Sequence, residues 1–183
     1  MNVFELKILN FIQDNFKCGF LDWFMPKITL LGEDGIFWIA VAVILLIPKK
    51  CRKVGIMMGV ALLLGFLIGN MTLKPLIGRV RPYDMPGVDI DLLVGHLGDK
   101  SFPSGHTLAC FEAATVLMLN DKRFGIPALI GAILVGLSRI YLYVHYPTDV
   151  LAGAVLGIAF GVLGCYIVNW AAAGLSKKKR QIN

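Results

Sequence analysis

The stretch VGIMMGVALLLGFLIGNMTLKPLIGRVRP, residues 54–82, joins a long apolar run to a short basic segment. A helix of about 20 apolar residues crosses the ~30 Å hydrocarbon core of a bilayer, and residues 54–73 reach that length. Four more apolar runs occur in the chain: 36–47 and 104–119, which are short, and 126–144 and 150–171. The sequence therefore predicts an all-α, polytopic membrane helix bundle with about five transmembrane helices. We expect the first to extend backwards through Gly35 and Asp34.

The composition favours a membrane protein over a nucleic-acid-binding one. Hydrophobic residues make up 57% of the 183 residues, and the net charge is +6. In a soluble protein such a charge would suggest a nucleic-acid partner, but here the cations cluster beside the apolar runs, which is typical of membrane orientation. The four cysteines are scattered and lack the close spacing of a metal site.

The chain is predicted to form one domain, 1–183, with an interfacial segment in 1–33, the helix bundle in 34–175 and a basic cytoplasmic tail in 176–183. Residues 3–16 alternate apolar and polar side chains at helical spacing. This pattern predicts an amphipathic helix at the bilayer surface, and a helix packed on the bundle fits it equally well. We expect no cleaved signal peptide, since no basic leader precedes an apolar core.

The lysines and arginines predict the orientation of the bundle. Ten of the 18 lie in the turn after the first span, in the turn after the third and in the tail. In a five-span protein these three places share one side, and positive loops face the cytoplasm. We therefore expect a multi-pass protein of the cell membrane whose opposite, extracytoplasmic face carries the polar motifs described next.

Glycines spaced four residues apart indicate close helix packing. Gly153, Gly157 and Gly161 follow this spacing in the last apolar run. In lipid, such small residues allow the backbones of two helices to approach closely.

Three polar segments interrupt the apolar chain at the outer ends of the spans: KPLIGRVRP at 74–82, PSGH at 103–106 and SRIYLYVHYPTD at 138–149. Lys74 and Arg81 flank a break at Pro75–Gly78 and can therefore point to one place. Pro103 is predicted at the first position of the third span. The backbone amides of Ser104, Gly105 and His106 would then face outward at the positive end of the helix dipole and form an anion site.

The third segment adds a buried cation and a possible nucleophile. Arg139 lies within an apolar run, where an isolated charge is costly and indicates function by default. Asp149 falls in the first turn of the helix that Pro147 opens, and can reach back to the ring of His145. A carboxylate on one ring nitrogen would leave the other free to act as a nucleophile.

Each of these residues also has an ordinary structural interpretation. Lys74 and Arg81 could anchor the chain at the interface, Asp149 could cap its helix, and either histidine alone could be structural. Their conjunction on one membrane face favours function. Arg79 and His96 are not among the residues that define the motifs, and they are not predicted to touch substrate. Four acids of the same loop are predicted to be solvated: Asp84, Asp89, Asp91 and Asp99.

The three segments together resemble the signature K-x6-R-P, P-S-G-H, S-R-x5-H-x3-D of the type 2 phosphatidic acid phosphatase superfamily. The resemblance implies that His145 is a nucleophile that forms a phosphohistidine, that Asp149 orients it, and that His106 is the general acid. It also implies no metal or other cofactor and a clamp for the substrate phosphate made of five residues: Lys74, Arg81, Ser104, Gly105 and Arg139.

On this resemblance the expected activity is hydrolysis of a lipid phosphomonoester or diphosphate. The short chain and outward site are similar to bacterial undecaprenyl diphosphate phosphatases, so that substrate is favoured. Phosphatidylglycerophosphate, phosphatidate and lipid A phosphates remain alternatives, as do a lipid phosphotransferase and a non-catalytic lipid-phosphate binder. The expected partners are the lipid substrate and membrane lipids, with no nucleic acid. The oligomeric state stays open.

Overall fold

The computed structural model describes the backbone of residues 3–182 and the side chains of residues 3–174, and it contains no strand in that part of the chain. The all-α prediction is confirmed. The side chains of the predicted basic tail lie outside the described residues. Within residues 3–182, eight α-helices follow one another: α1 Val3–Phe16, α2 Gly19–Ile28, α3 Ile36–Leu46, α4 Arg52–Leu64, α5 Lys74–Ile77, α6 Gly105–Asn120, α7 Lys122–Tyr141 and α8 Pro147–Ile182.

Three shorter helical segments connect these helices: 3₁₀ turns at Thr29–Gly35 and Pro82–Asp84, and a π-helix at Gly65–Leu73. The turn at Thr29–Gly35 joins α2 to α3 through a kink, where Asp34 and Gly35 have φ angles of 48° and 67°. The π-helix makes α4 and α5 one continuous helical segment. π-Helical turns are rare and occur frequently at functional sites.

In the part of the chain that the structure describes, four helical segments are long and apolar enough to cross a membrane: Gly19–Leu46, Arg52–Asp84, Lys122–Tyr141 and Pro147–Gly174. The first includes the predicted backward extension through Asp34. The remaining predicted span corresponds to α6, which has only 16 residues. This helix is the centre of the bundle, in contact with α4, α7 and α8.

The polar motifs lie at one end of the bundle, and the basic turns lie at the other. Asn120, at the end of α6, places its side-chain nitrogen 3.6 Å from the sulfur of Met57 near the start of α4 and 3.8 Å from that of Cys165. The turns before α4 and after α6 therefore share an end. Both α6 and α8 begin at the opposite end, where the backbone amide of Ser104 donates to the carbonyl of Asp149.

The glycine spacing in α8 serves helix packing, as predicted. A Cβ at Gly157 would lie 2.7 Å from the carbonyl oxygen of Leu108 and 2.7 Å from the Cβ of Phe111, both on α6. Gly153 and Gly161 have equally close contacts with the same helix. This contact packs α8 closely against α6 and fixes the relative position of the first residues of the two helices.

Helix α1 packs on the bundle with a face that the sequence pattern did not predict. Glu5 and Leu9 are buried, whereas Phe4 is 73% exposed. The carboxylate of Glu5 accepts hydrogen bonds from the backbone and side chain of Thr148 at the start of α8. Glu5 is one of the polar residues of the alternating pattern, yet it is buried, because an acid with an ion-pair partner (described below) can lie inside the bundle.

We predict that Gly157→Ala destabilises the protein, because the new methyl group meets a backbone oxygen that cannot rotate away. Overpacking of this kind costs about 1–3 kcal/mol and should lower the midpoint of thermal unfolding in detergent. Gly131→Ala on α7 is the matched control, since nothing lies within 4 Å of its added Cβ. Equal midpoints for the two variants would contradict this account of the α6–α8 contact.

Candidate active site

A cavity of about 670 Å³ opens between the helices, and its polar end is formed by the predicted motif residues. Five of the eight predicted site residues line it: Lys74, Arg81, Gly105, His106 and His145. A Cβ on Gly105 would lie 3.6 Å from the Nζ of Lys74, so the start of α6 directly faces that ammonium group. The two histidines share one cavity, as the sequence predicted.

The ring of His145 is held by an acid and a hydroxyl on one side and faces a cation on the other. Its Nδ1 lies 3.5 Å from an oxygen of Asp149 and 3.4 Å from the Oγ of Ser101. The Ser101 hydroxyl donates to that same Asp149 oxygen at 2.5 Å. The Nε2 lies 3.3 Å from a guanidinium nitrogen of Arg81. The predicted contact of Asp149 with His145 is therefore present, and Nε2 is the nitrogen that faces the cavity.

Burial makes the His145 ring neutral. The side chain is 1% exposed in the turn between α7 and α8. Burial lowers its pKa to about 3, since the hydrogen bond that the ring donates to Asp149 only partly offsets burial and the charges of Arg139 and Arg81 add to the effect of burial. Near neutral pH the ring therefore carries no charge, and a nitrogen lone pair is available for attack on an electrophile.

Arg79 holds Asp149 in place, a role that the sequence did not predict. Its guanidinium donates to Asp149 at 2.5 Å, to Thr148 at 2.7 Å and to Glu5 at 2.5 Å, and it lies 3.9 Å from the centre of the Tyr146 ring. The two carboxylates satisfy this cation, so it is not free to bind an anion. The only signal in the sequence is its place within GRVRP, between two motif residues. Ser101 gave no signal at all.

Arg139 is a buried cation, and some of its hydrogen-bond donors have no partner among the described residues. It is 2% exposed, and one of its terminal nitrogens donates to the hydroxyl of Thr29 at 2.8 Å. Within the described part of the chain, its Nε and its other terminal nitrogen have no hydrogen-bond partner. A buried cation without a counter-charge is costly. Its charge acts on the rings of both His106 and His145, so an anion between them would satisfy it.

Helix α6 begins two residues later than predicted. Ser104 is the N-cap, and its Oγ accepts from the backbone amide of Thr107 at 3.4 Å. Pro103 therefore precedes the helix, because the Ser104 side chain satisfies a free amide of the first turn, as serine commonly does. The amide of Ser104 is bound to Asp149, so it does not face the cavity. Of the predicted anion site, the first-turn amides of Gly105 and His106 remain.

Asp99 is bound to the cations of the site. The sequence had predicted that it is solvated. Its carboxylate pairs with the ammonium of Lys74 and, at 2.5 Å, with the guanidinium of Arg81. The backbone oxygen of Asp99 accepts a further bond from Arg81 at 2.9 Å. The prediction was wrong because Asp99 lies 25 and 18 residues from its partners, beyond the reach of any local pattern.

The other end of the cavity is an apolar groove between α3 and α4. Its lining includes Ile39 and Val43 of α3 and Gly59, Leu63 and Phe66 of the α4 segment. Several of these side chains are about half exposed on the outer surface of the bundle, where hydrocarbon would surround a membrane protein. The cavity thus joins a cationic end to an apolar groove, which suits an amphipathic ligand with an anionic head.

Comparisons with known proteins agree with this geometry. The PAP2 superfamily matches residues 50–173. An undecaprenyl-diphosphatase of Sulfolobus acidocaldarius is 34% identical over 157 residues, covering 85% of this chain and 73% of the relative.

Two solved structures share the fold. LpxE of Aquifex aeolicus has a TM-score of 0.76 and 31% identity, covering 87% of this chain and 93% of the other. A PAP2-type phosphatidylglycerolphosphate phosphatase from Bacillus subtilis has a TM-score of 0.72 and 30% identity, covering 95% and 85%.

Proposed function

The chain belongs to the PAP2 superfamily and is a multi-pass membrane lipid phosphatase, and from this premise we propose that it hydrolyses undecaprenyl diphosphate. The observation that carries the proposed site is the buried guanidinium of Arg139, two of whose nitrogens have no hydrogen-bond partner among the described residues and whose charge acts on the neutral ring of His145. A phosphate group supplies the missing acceptors. Charge-assisted hydrogen bonds of this kind are about twice as strong as neutral ones.

In the first step, the Nε2 of His145 attacks the terminal phosphorus. An N–P bond forms as the P–O bond to the lipid monophosphate breaks, and the lipid monophosphate leaves as an anion. A phosphomonoester would release an alkoxide instead, and His106 would donate a proton to that oxygen. Asp149 stabilises the ring as it becomes positive, because its carboxylate lies against Nδ1. Arg79 and Ser101 keep that carboxylate in place.

In the second step, water attacks the phosphohistidine. His106 removes a proton from the water, the N–P bond breaks, and inorganic phosphate leaves with His145 restored to its neutral form. Phosphoryl transfer spreads negative charge over three oxygens, so catalysis is largely positioning and electrostatic stabilisation. In this proposal Lys74, Arg81, Arg139 and the amides at the start of α6 supply that stabilisation.

The length of the groove supports a polyprenyl lipid. The cavity is lined from Lys74 at its polar end to Gly55 near the start of α4, about 25 Å along a helical segment that rises up to 1.5 Å per residue. One leaflet accounts for only about half of the ~30 Å hydrocarbon core. An acyl chain that fills one leaflet would leave part of the groove empty, whereas the longer undecaprenyl chain can occupy all of it.

The proposal also places the site on the extracytoplasmic face of the cell membrane. The exposed basic residues of the described bundle ends support this orientation, since Lys49, Lys50, Lys122 and Arg123 all lie at the end opposite His145. Basic turns favour the cytoplasmic side.

Phosphatidylglycerophosphate is the second candidate substrate. A structure with this fold and 30% identity is a phosphatidylglycerolphosphate phosphatase, and the polar end of the cavity accepts any terminal phosphate. The two candidates differ in their lipid tails, so the groove is the place to separate them.

We predict that the purified protein releases phosphate from undecaprenyl diphosphate, with chelator present, and that His145→Ala abolishes release. Loss of a covalent nucleophile should lower the rate at least about a thousandfold, while the variant still binds lipid. The control is His96→Ala, which removes a histidine that packs on Tyr83 outside the cavity. Undiminished release by His145→Ala would refute the assignment, and release only from phosphatidylglycerophosphate would favour the second candidate.

We predict that Gly59→Phe impairs the enzyme in proportion to the length of the lipid chain. Gly59 lines the groove, and nothing lies within 4 Å of its added Cβ, so a larger side chain can enter the groove without a clash at its Cβ. We expect the variant to lose about 1.4 kcal/mol of binding free energy for undecaprenyl diphosphate, which lowers kcat/KM for this substrate roughly tenfold. The value for farnesyl diphosphate, which does not reach that depth, should be unchanged. Equal losses on the two substrates would contradict the assignment of the groove.

A further inference from the structure

Two of the three cations proposed to hold phosphate are already bound to a carboxylate of this chain. Asp99 pairs with Lys74 and Arg81 through its two carboxylate oxygens, one to each. The residue belongs to the loop between Asp84 and α6, and it lines the same cavity as His106 and His145. A carboxylate therefore occupies the position where the structure offers a phosphate its strongest donors.

The carboxylate of Asp99 remains ionised at any working pH. Partial burial alone would raise its pKa, but the hydrogen bonds and charges of Lys74 and then Arg81 outweigh this and lower it to about 2. The side chain is 49% exposed, so it can rotate away from the site. The anion at the polar end of the cavity is thus permanent in charge but not locked in position.

We propose that Asp99 is an affinity-determining residue of the phosphate site, an internal anion that competes with the substrate phosphate and with released phosphate for Lys74 and Arg81. This inference rests on the proposed function of the site. Where phosphate displaces the carboxylate, the two ion pairs must break first. Where both anions are bound together, their like charges repel each other. Either arrangement weakens the binding of phosphate.

The competition matters most for the product. Inorganic phosphate contacts the same donors as the terminal group of the substrate but lacks a lipid tail in the groove. When it leaves, Asp99 can return to Lys74 and Arg81, so the cations are not left without a partner. Competition by Asp99 therefore limits product inhibition, while the lipid tail keeps the substrate bound.

A purely structural role makes the opposite prediction. If Asp99 served only to position Lys74 and Arg81, its removal would leave these two side chains less ordered and weaken phosphate binding. The sign of the change in affinity therefore separates the two roles.

The test is the affinity of purified protein for inorganic phosphate, measured by isothermal titration calorimetry in detergent, together with its KM for the lipid substrate. Because the Asp99 carboxylate is half exposed, water screens its two ion pairs and their contribution is modest. We therefore expect Asp99→Asn to bind phosphate about fivefold more tightly than the unmodified protein. KM and the inhibition constant of phosphate should fall together. Asp99→Ser, which also removes the charge, is the second variant in case the first does not fold.

Asp91→Asn is the matched control, because it removes one negative charge from the same loop at an exposed position outside the cavity. It should bind phosphate as the unmodified protein does. Weaker or unchanged binding by both Asp99 variants would overturn the proposal, as would a similar gain in Asp91→Asn. Calorimetry needs no turnover, so tighter binding without hydrolysis of any lipid would refute the proposed function alone.

Discussion

The arrangement of the site depends on one buried carboxylate, that of Asp149. It accepts hydrogen bonds from Arg79 and Ser101 and from the backbone of Tyr146, and it lies against the ring of His145. Its own backbone oxygen accepts from Ser104 at the start of α6. A buried charge is costly unless it is paired and hydrogen-bonded, so burial of Asp149 favours the structure in which these segments meet. One residue thus positions all three sequence motifs and, through Arg79 and Glu5, helix α1.

The apolar part of the molecule serves this arrangement by bringing helix ends together. The glycines of α8 let its backbone approach α6 closely, and the contact places the starts of both helices, with His106 and Asp149, at one end of the bundle. Because α6 is short and central, its first turn lies at the inner end of a cavity that stays open towards α3 and α4. A lipid can therefore keep its chain in apolar surroundings while its phosphate reaches the cations.

The sequence predicted those parts of the molecule that depend on local spacing. The helices, the contact of His145 with Asp149 and the meeting of Lys74, Arg81, Gly105 and His106 all follow from residues placed at the ends of predicted spans. The contacts of Asp99, Arg79 and the buried face of α1 were missed because their partners are far away in the chain. Helix α6 begins later than predicted because Ser104 caps it. The assignment of chemical roles to these residues stays a prediction that rests on resemblance and geometry.

The central claim is that His145 carries the phosphoryl group during turnover. The most direct measurement uses undecaprenyl diphosphate labelled in its terminal phosphate, rapid quenching under alkaline conditions that preserve phosphohistidine, and mapping of the label by mass spectrometry. His106→Ala is the protein to use, because a lipid monophosphate leaves without protonation, whereas water cannot be activated and the intermediate accumulates. The account predicts label on His145. Label on another residue, or turnover of substrate with none on the protein, would contradict it.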